Sequence, residues 1–257
     1  MTRDMPGPPP IAEPFDRRAR RRQRTRWTGA AAFLHTAIAA DLADRIAALD
    51  RDFAAVLDIG GTEVTGTALT VALEPSPARA IGMAVAVTGD EDRLPFADAS
   101  FDLIASTAAL HGVNDLPGAL IQARRALRPG GLFVAGFFGG TTLTEVRADL
   151  LAAESELTGR AAARIAPMVD TDMAAGLLQR AGFADPVAEV DTIAVRYDDL
   201  FAVLRDLRAM GEGNILASRV PLRRDVLADA ARRFADRAVA GRIAVTVQVI
   251  YLTGSVR

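Results

Sequence analysis

Short apolar runs alternate with amphipathic segments along most of this 257-residue chain. Four of these runs are typical of buried strands, at residues 53–61, 80–87, 101–107 and 132–138. Residues 116–127 have helical apolar spacing, and the RPGG sequence at 128–131 ends that helix. Strands that alternate with helices favour an α/β fold built on a mostly parallel sheet.

The remaining sequence adds helices and a final pair of strands. Helical spacing recurs at residues 142–158, 171–181, 198–211 and 221–238. The runs 187–197 and 242–254 have the composition of β-strands, and we expect them to pair antiparallel at the edge of the sheet. The prediction is a Rossmann-like, doubly wound α/β fold with an N-terminal helical extension and a C-terminal helical insertion.

The N-terminal part of the chain is strongly basic. All 30 basic residues are arginine, and seven of them lie between Arg17 and Arg26. Residues 1–14 are rich in proline and are predicted to be disordered, residues 15–50 to form a basic helical region, and residues 51–257 to form the main domain. We expect the arginines to lie on a solvated helix face, with contact to an anion, a nucleic acid or a membrane surface as the alternative.

Several kinds of chemistry are excluded by composition. The chain has no cysteine, which removes disulfides, thiolate nucleophiles and iron–sulfur clusters. It has no lysine, which removes the phosphate-binding G-x-x-x-x-G-K-[ST] motif. A metal site of two histidines and one carboxylate would need both His35 and His111, and no metal site is predicted. No apolar run reaches the roughly 18 residues of a membrane span.

Two longer segments carry a resemblance to a known superfamily. Residues 89–106 read GDEDRLPFADASFDLIAS, and residues 110–138 read LHGVNDLPGALIQARRALRPGGLFVAGFF. They resemble the class I S-adenosylmethionine-dependent methyltransferases. Segments 15–24, 137–147, 164–170, 177–186 and 197–214 are similar to the branch of respiratory complex I assembly factors that includes a mitochondrial arginine hydroxylase.

The resemblance implies S-adenosylmethionine as the cofactor and a set of residues that hold it. The implied cofactor-binding residues are Asp58, Gly60, Gly61, Thr62, Asp90, Glu91 and Ser106. Asp58, Gly60 and Gly61 would flank the amino-acid end of the cofactor, and Thr62 belongs to the same turn. Asp90 and Glu91 would border its adenine, and Ser106 would line its methionine side.

His111 is the candidate catalytic residue. It matches a histidine in the family's Leu-His-Trp-Val-Asn-Asp segment, in which the tryptophan is replaced here by Gly112. The alternative is a partly buried histidine at the floor of the pocket.

The cofactor turn departs from the family pattern in three ways. Thr62 replaces the second glycine, and the β-branched Val64 stands at the third position. The predicted second strand, 80–87, has no acid at its end to hold a ribose. The interval from Asp58 to Asp90 is also short for two helices and two strands. These departures predict that cofactor binding is weakened, rearranged or lost.

Three functions therefore stay open. The leading hypothesis is a methyltransferase-fold protein of the complex I assembly type that modifies or binds a protein partner, such as a complex I subunit. The alternatives are a cofactor-free pseudoenzyme that acts as a docking factor and a carboxyl methyltransferase of the biotin-synthesis type. An acidic body without aromatics beside the arginines disfavours nucleic acid. We expect a cytoplasmic protein, with peripheral association at the inner membrane as an alternative.

Overall fold

The computed structural model describes residues 13–29, 32–61, 69–81 and 83–257. Its helices are α1 (Arg17–Arg24), α2 (Phe33–Ala47), α3 (Pro77–Ala80), α4 (Leu116–Ala126), α5 (Thr144–Thr158), α6 (Thr171–Ala181), α7 (Leu200–Ala209) and α8 (Arg224–Ala235). Its strands are β1 (Ala55–Ile59), β2 (Leu69–Glu74), β3 (Ala86–Thr88), β4 (Phe101–Thr107), β5 (Leu127–Gly139), β6 (Ala184–Tyr197) and β7 (Ile243–Ser255).

The strands form one sheet in the order β3-β2-β1-β4-β5-β7-β6. The pairs among β1 to β5 are parallel, whereas β7 pairs antiparallel with both β5 and β6. The strand order reverses between β1 and β4, and ligands of doubly wound sheets bind at the carboxyl edge at such a reversal. Helices α7 and α8 lie between β6 and β7 in sequence. The predicted mostly parallel sheet, the terminal antiparallel pair and the C-terminal helical insertion are therefore confirmed.

Helices cover both faces of the sheet. Val56 of β1 packs in the same cluster as Ile38 of α2, whereas the next residue, Leu57, packs with Leu120 of α4 on the opposite face. This alternation explains why the central strands are apolar at nearly every position, since a strand covered on both faces exposes neither set of side chains.

The predicted second strand is wrong. The second strand is residues 69–74, which the sequence analysis missed, and residues 80–87 contribute only the start of the short third strand at 86–88. A helix of only four residues, 77–80, separates these strands, which accounts in part for the short interval from Asp58 to Asp90. The RPGG sequence at 128–131 also belongs to β5, where Gly130 has a positive φ of 77°.

No helix within the described ranges is long and apolar enough to cross a membrane.

Candidate functional site

The predicted cofactor turn lies at the carboxyl end of β1, next to the ends of β2 and β4. Asp58 is fully buried, and Ile59 pairs with both Leu73 and Ser106. Gly60 follows with φ of 107°, and a Cβ at that position would lie 2.4 Å from the carbonyl oxygen of Thr107. Only glycine therefore fits this turn without moving β4.

The other turn residues have different outcomes. Gly61 also has a positive φ, of 64°, and it lies against Met83. Thr62 and Val64 lie outside the described residues. Ser106 is fully buried at the end of β4.

Glu74 is a site residue that the sequence analysis missed. It is the last residue of β2 and is fully buried, at the position where nucleotide-binding folds place the acid that holds a ribose. The prediction that the second strand lacks such an acid is therefore wrong. Its signal was available, because residues 69–74 (LTVALE) form an apolar run that ends in an acid before Pro75.

Glu74 is shared by two arginines. Arg24 donates to it with Nη2–Oε2 at 3.0 Å, and the Nε of Arg79 lies 3.1 Å from the same oxygen. Burial, together with the nearby charge of Arg24, lowers the pKa of Arg79 to about 10. Arg79 also lies over the ring of Trp27, with its Cζ 4.1 Å from the ring centroid. Glu74, at the position expected for the acid that holds a ribose, is thus already paired with two arginines of this chain.

Asp90 and Glu91, the acids predicted to border the adenine, are likewise paired with arginines of α1. Glu91 is 3% exposed and accepts from Arg20, with Nη2–Oε1 at 2.6 Å. Asp90 accepts from Arg21 at 3.0 Å. Each of these two predicted cofactor residues is thus paired with an arginine of α1.

The prediction of a solvated arginine face is wrong for Arg20 and Arg24 of α1 and is confirmed for Arg18 and Arg22, which are exposed. Arg24 is 1% exposed and Arg20 is 6% exposed. Besides its acid, each donates to a backbone carbonyl of the sheet edge: Arg24 to Gly60 at 2.8 Å and Arg20 to Ala109 at 2.7 Å. The charges are tolerated inside because each guanidinium is both paired and hydrogen-bonded.

A separate cavity of about 290 Å³ is lined in part by Gln23 of α1. Its walls are mostly apolar side chains from α5, α7 and the loop that follows α7, and its polar groups include His111, Glu212 and Arg164. Gly60, Asp90 and Ser106 do not line it. The cavity therefore contains the predicted catalytic residue and none of these three predicted cofactor residues.

Glu212 joins the two histidines of the chain. Its Oε2 lies 2.8 Å from Nε2 of His111, and its Oε1 lies 3.1 Å from Nε2 of His35. Burial lowers the pKa of His35, which favours the neutral ring. Burial opposes ionisation of Glu212, but the charge of His111 and the hydrogen bonds from both rings hold its pKa well below the usual range. Glu212 is thus an ionised group at the cavity, and sequence reasoning did not select it.

Comparisons with known proteins identify the family. Residues 32–135 match the family model described as a methyltransferase domain. The mouse protein named arginine-hydroxylase NDUFAF5, mitochondrial, is 34% identical over 268 residues, which cover 93% of this chain and 76% of the mouse protein. This chain belongs to the arginine-hydroxylase NDUFAF5 family. The predicted superfamily and branch are therefore confirmed.

Two further proteins are similar to this family member, one in the sequence of half of the chain and one in fold. The malonyl-[acyl-carrier protein] O-methyltransferase of Xylella fastidiosa (strain M23) is 39% identical over 133 residues, or 52% of this chain and 43% of that protein. A crystal structure from Bacillus halodurans C-125, of a protein assigned to the methyltransferases, matches with a TM-score of 0.54 and 17% identity. It covers 84% of this chain and 97% of the other. This likeness confirms the predicted fold.

Helix α1 of this NDUFAF5-family chain takes up part of the place expected for S-adenosylmethionine. The acids that would receive the cofactor, Glu74 and Glu91, are buried against Arg24 and Arg20. A second hollow of about 580 Å³ is lined by Gly61 and Trp27 among others, but by neither of those acids. A ligand that needs Glu74 and Glu91 must therefore first separate them from the arginines.

Proposed function

We propose that this chain binds an arginine side chain of a protein partner in the cavity that contains Glu212 and His111, as a step in modifying that side chain. The partner that the family resemblance implies is a subunit of respiratory complex I. The naming of the mouse relative as an arginine hydroxylase supports this proposal, as does a cavity with apolar walls and the carboxylate of Glu212, whose side chain is only 14% exposed. We place the activity in the cytoplasm or at the inner face of the membrane.

The cavity suits both parts of an arginine side chain. A volume of 290 Å³ is near the lower end of the range of small-molecule pockets, roughly 300–1,000 Å³, and is enough for one side chain. Apolar residues such as Leu143 and Leu207 line the space that an aliphatic stem would occupy. A guanidinium that reaches Glu212 would exchange water for a charged, hydrogen-bonded partner.

Glu212 has capacity for such a partner. Each of its oxygens meets one imidazole nitrogen, and a carboxylate has about four lone-pair sites, so about two remain for guanidinium N–H donors. Because its pKa is held well below the usual range, Glu212 would stay ionised and anchor the cation. His111, which also lines the cavity, remains the candidate catalytic residue: in its neutral form, Nδ1 would accept a proton that leaves the substrate.

A peptide with one arginine, compared with the same peptide carrying citrulline, tests this proposal. Citrulline has nearly the shape of arginine without its charge. We expect calorimetric titration to show at least about tenfold tighter binding of the arginine peptide, and loss of that preference in Glu212→Gln. Glu156→Gln is the matched control, because Glu156 is exposed and lies outside the cavity. Equal binding of the two peptides by the wild-type protein would refute the arginine site.

Mass spectrometry of the bound partner then separates the possible modifications. Addition of an oxygen atom indicates hydroxylation, and addition of a methyl group indicates methyl transfer. An unchanged partner that nevertheless binds indicates the docking role of a pseudoenzyme.

A second candidate is a carboxyl methyltransferase that acts on an acyl group. The similarity to the Xylella fastidiosa enzyme over half of the chain favours it. So do Arg26 and Arg208, which line the cavity, are exposed, and have no carboxylate partner among the described residues. These two cations could hold an anionic head group while the apolar wall holds its chain. Tight binding of a malonyl thioester, with no preference between the arginine and citrulline peptides, would favour this candidate.

A further inference from the structure

Helix α1 has two arginine faces with different surroundings. Its inner face consists of residues 17, 20, 21 and 24. It meets the acids of the predicted cofactor site, called the cofactor cleft below, which are Glu74, Asp90, Glu91 and Asp92. Its outer face carries Arg18 and Arg22, which are exposed and have no acidic partner among the residues that the structure describes. Because positions 17, 20, 21 and 24 are three or four residues apart, one side of a helix presents all four guanidinium groups together.

The inner face matches the cleft in charge. Arg17 donates to Asp92 at 2.7 Å, Arg21 to Asp90 at 3.0 Å and Arg20 to Glu91 at 2.6 Å. Arg24 similarly holds Glu74, the acid at the end of β2. Each of these four arginines therefore meets an acid from the region where the fold would bind a nucleotide.

The inner face also matches the cleft in shape. A Cβ on Gly112 would lie 1.7 Å from Nη1 of Arg20, so the guanidinium occupies space that exists only because residue 112 has no side chain. The absence of a side chain at residue 112 and the buried arginine in the same space are complementary features of this chain.

The segment after α1 is connected to the same contacts. Trp27, the single tryptophan of the chain, stacks on Arg79, which in turn pairs with Glu74. Removal of α1 from the cleft would therefore change the surroundings of Trp27, and the fluorescence of Trp27 can report the position of α1.

We infer that the arginine face of α1 is the resident occupant of the cofactor cleft, and that docked α1 and S-adenosylmethionine exclude each other. A cofactor could then bind only to the fraction of molecules in which α1 has left the cleft, and its apparent affinity would be reduced by that fraction. This inference concerns the cofactor cleft alone and does not depend on the proposed arginine site in the cavity.

Calorimetric titration with S-adenosylmethionine of two matched double variants tests the inference. Arg20→Gln/Arg24→Gln removes the two buried contacts to Glu91 and Glu74. Arg18→Gln/Arg22→Gln changes the net charge equally, but on the outer face of the same helix. We expect the inner-face variant to bind S-adenosylmethionine at least about tenfold more tightly than the wild-type protein, and the outer-face variant to match the wild type. Equal affinity of all three proteins, including no binding by any of them, would overturn the inference.

A further variant keeps the test decisive if the inner-face substitutions unfold the protein. Gly112→Ala retains every arginine but places a methyl group where the Arg20 guanidinium lies. We expect it too to bind S-adenosylmethionine more tightly than the wild type does, with tryptophan emission already changed before ligand is added. Native emission together with wild-type affinity would count against the inference.

Hydrogen exchange adds a readout on the unaltered chain and on any variant that binds. Saturating S-adenosylmethionine should accelerate amide exchange in residues 17–24 of each protein that binds it. A bound cofactor with unchanged protection of α1 would show that the two occupy the cleft together, and would overturn the inference.

Discussion

Replacing Arg20 by methionine asks how strongly α1 is held in the cleft. Arg20 and Glu91 are 6% and 3% exposed, and among the described residues Glu91 takes its side-chain hydrogen bonds from Arg20. Removing one partner of a buried ion pair costs about 3–5 kcal/mol, because the other charge is left without compensation. Methionine keeps much of the apolar volume, so the cost comes mainly from the stranded carboxylate. We expect a loss of about 3 kcal/mol, at the lower end of that range, since departure of α1 would return Glu91 to water.

Urea unfolding followed by circular dichroism and by Trp27 emission measures this loss. Arg22→Met is the control, because Arg22 lies on the exposed face of the same helix and its loss should change the free energy of unfolding by less than about 0.5 kcal/mol. If Arg20→Met unfolds within about 0.5 kcal/mol of the wild type, the buried pair does not contribute as reasoned here. Helix α1 would then be held in the cleft by other contacts, or would leave the cleft in solution.

Two further predictions concern the turn after β1 and the start of α1. Gly60→Ala should lower the free energy of unfolding in urea by about 2–3 kcal/mol, because φ is 107° and the new Cβ would lie 2.4 Å from the Thr107 carbonyl oxygen. Gly130→Ala is the control: its φ is also positive but the space around it is open, so it should cost only about 1 kcal/mol. Equal losses in the two variants would contradict this reasoning. The hydrogen bond from Arg219 lowers the pKa of Asp16 from 3.8 to about 2, so the stabilisation that Asp16 gives is complete above about pH 4 and is lost as pH falls through about 2. Tryptophan emission should follow that acid transition, and an Asp16→Asn variant with the same transition would contradict the assignment.

Elements with both a clear pattern and clear ends were predicted at the observed residues. Helix 171–181 has an Asp170 N-cap and a Gly182 C-cap, and strand 101–107 is a short apolar run on the central part of the sheet. The second strand was missed because the sequence of residues 62–68 has no helical apolar spacing to announce it, while the more apolar run at 80–87 was chosen instead. Apolar content alone therefore does not locate a strand near the edge of a sheet.

The site could be predicted only in part, because its residues meet over long sequence separations. Asp90 and Glu91 were identified from a local motif, but their partners lie about 70 residues earlier in the arginine-rich segment. The helical spacing of those arginines was visible, whereas an acidic cleft to receive them requires the ends of several strands to be in place. Glu212 lies in segment 197–214, which is similar to the complex I assembly factors, but it became a candidate only when the fold placed it between His35 and His111.

The position of α1 in solution is the most direct test of the account. The chain has no cysteine, so Arg18→Cys with Ala97→Cys gives a pair of exposed spin-labelling sites, one on α1 and one in the loop before β4. With α1 docked in the cofactor cleft, double electron–electron resonance should give a single narrow distribution of the distance between the two spin labels in the ligand-free protein. A broad distribution, as expected of a helix that moves freely on its tether, would contradict the central claim.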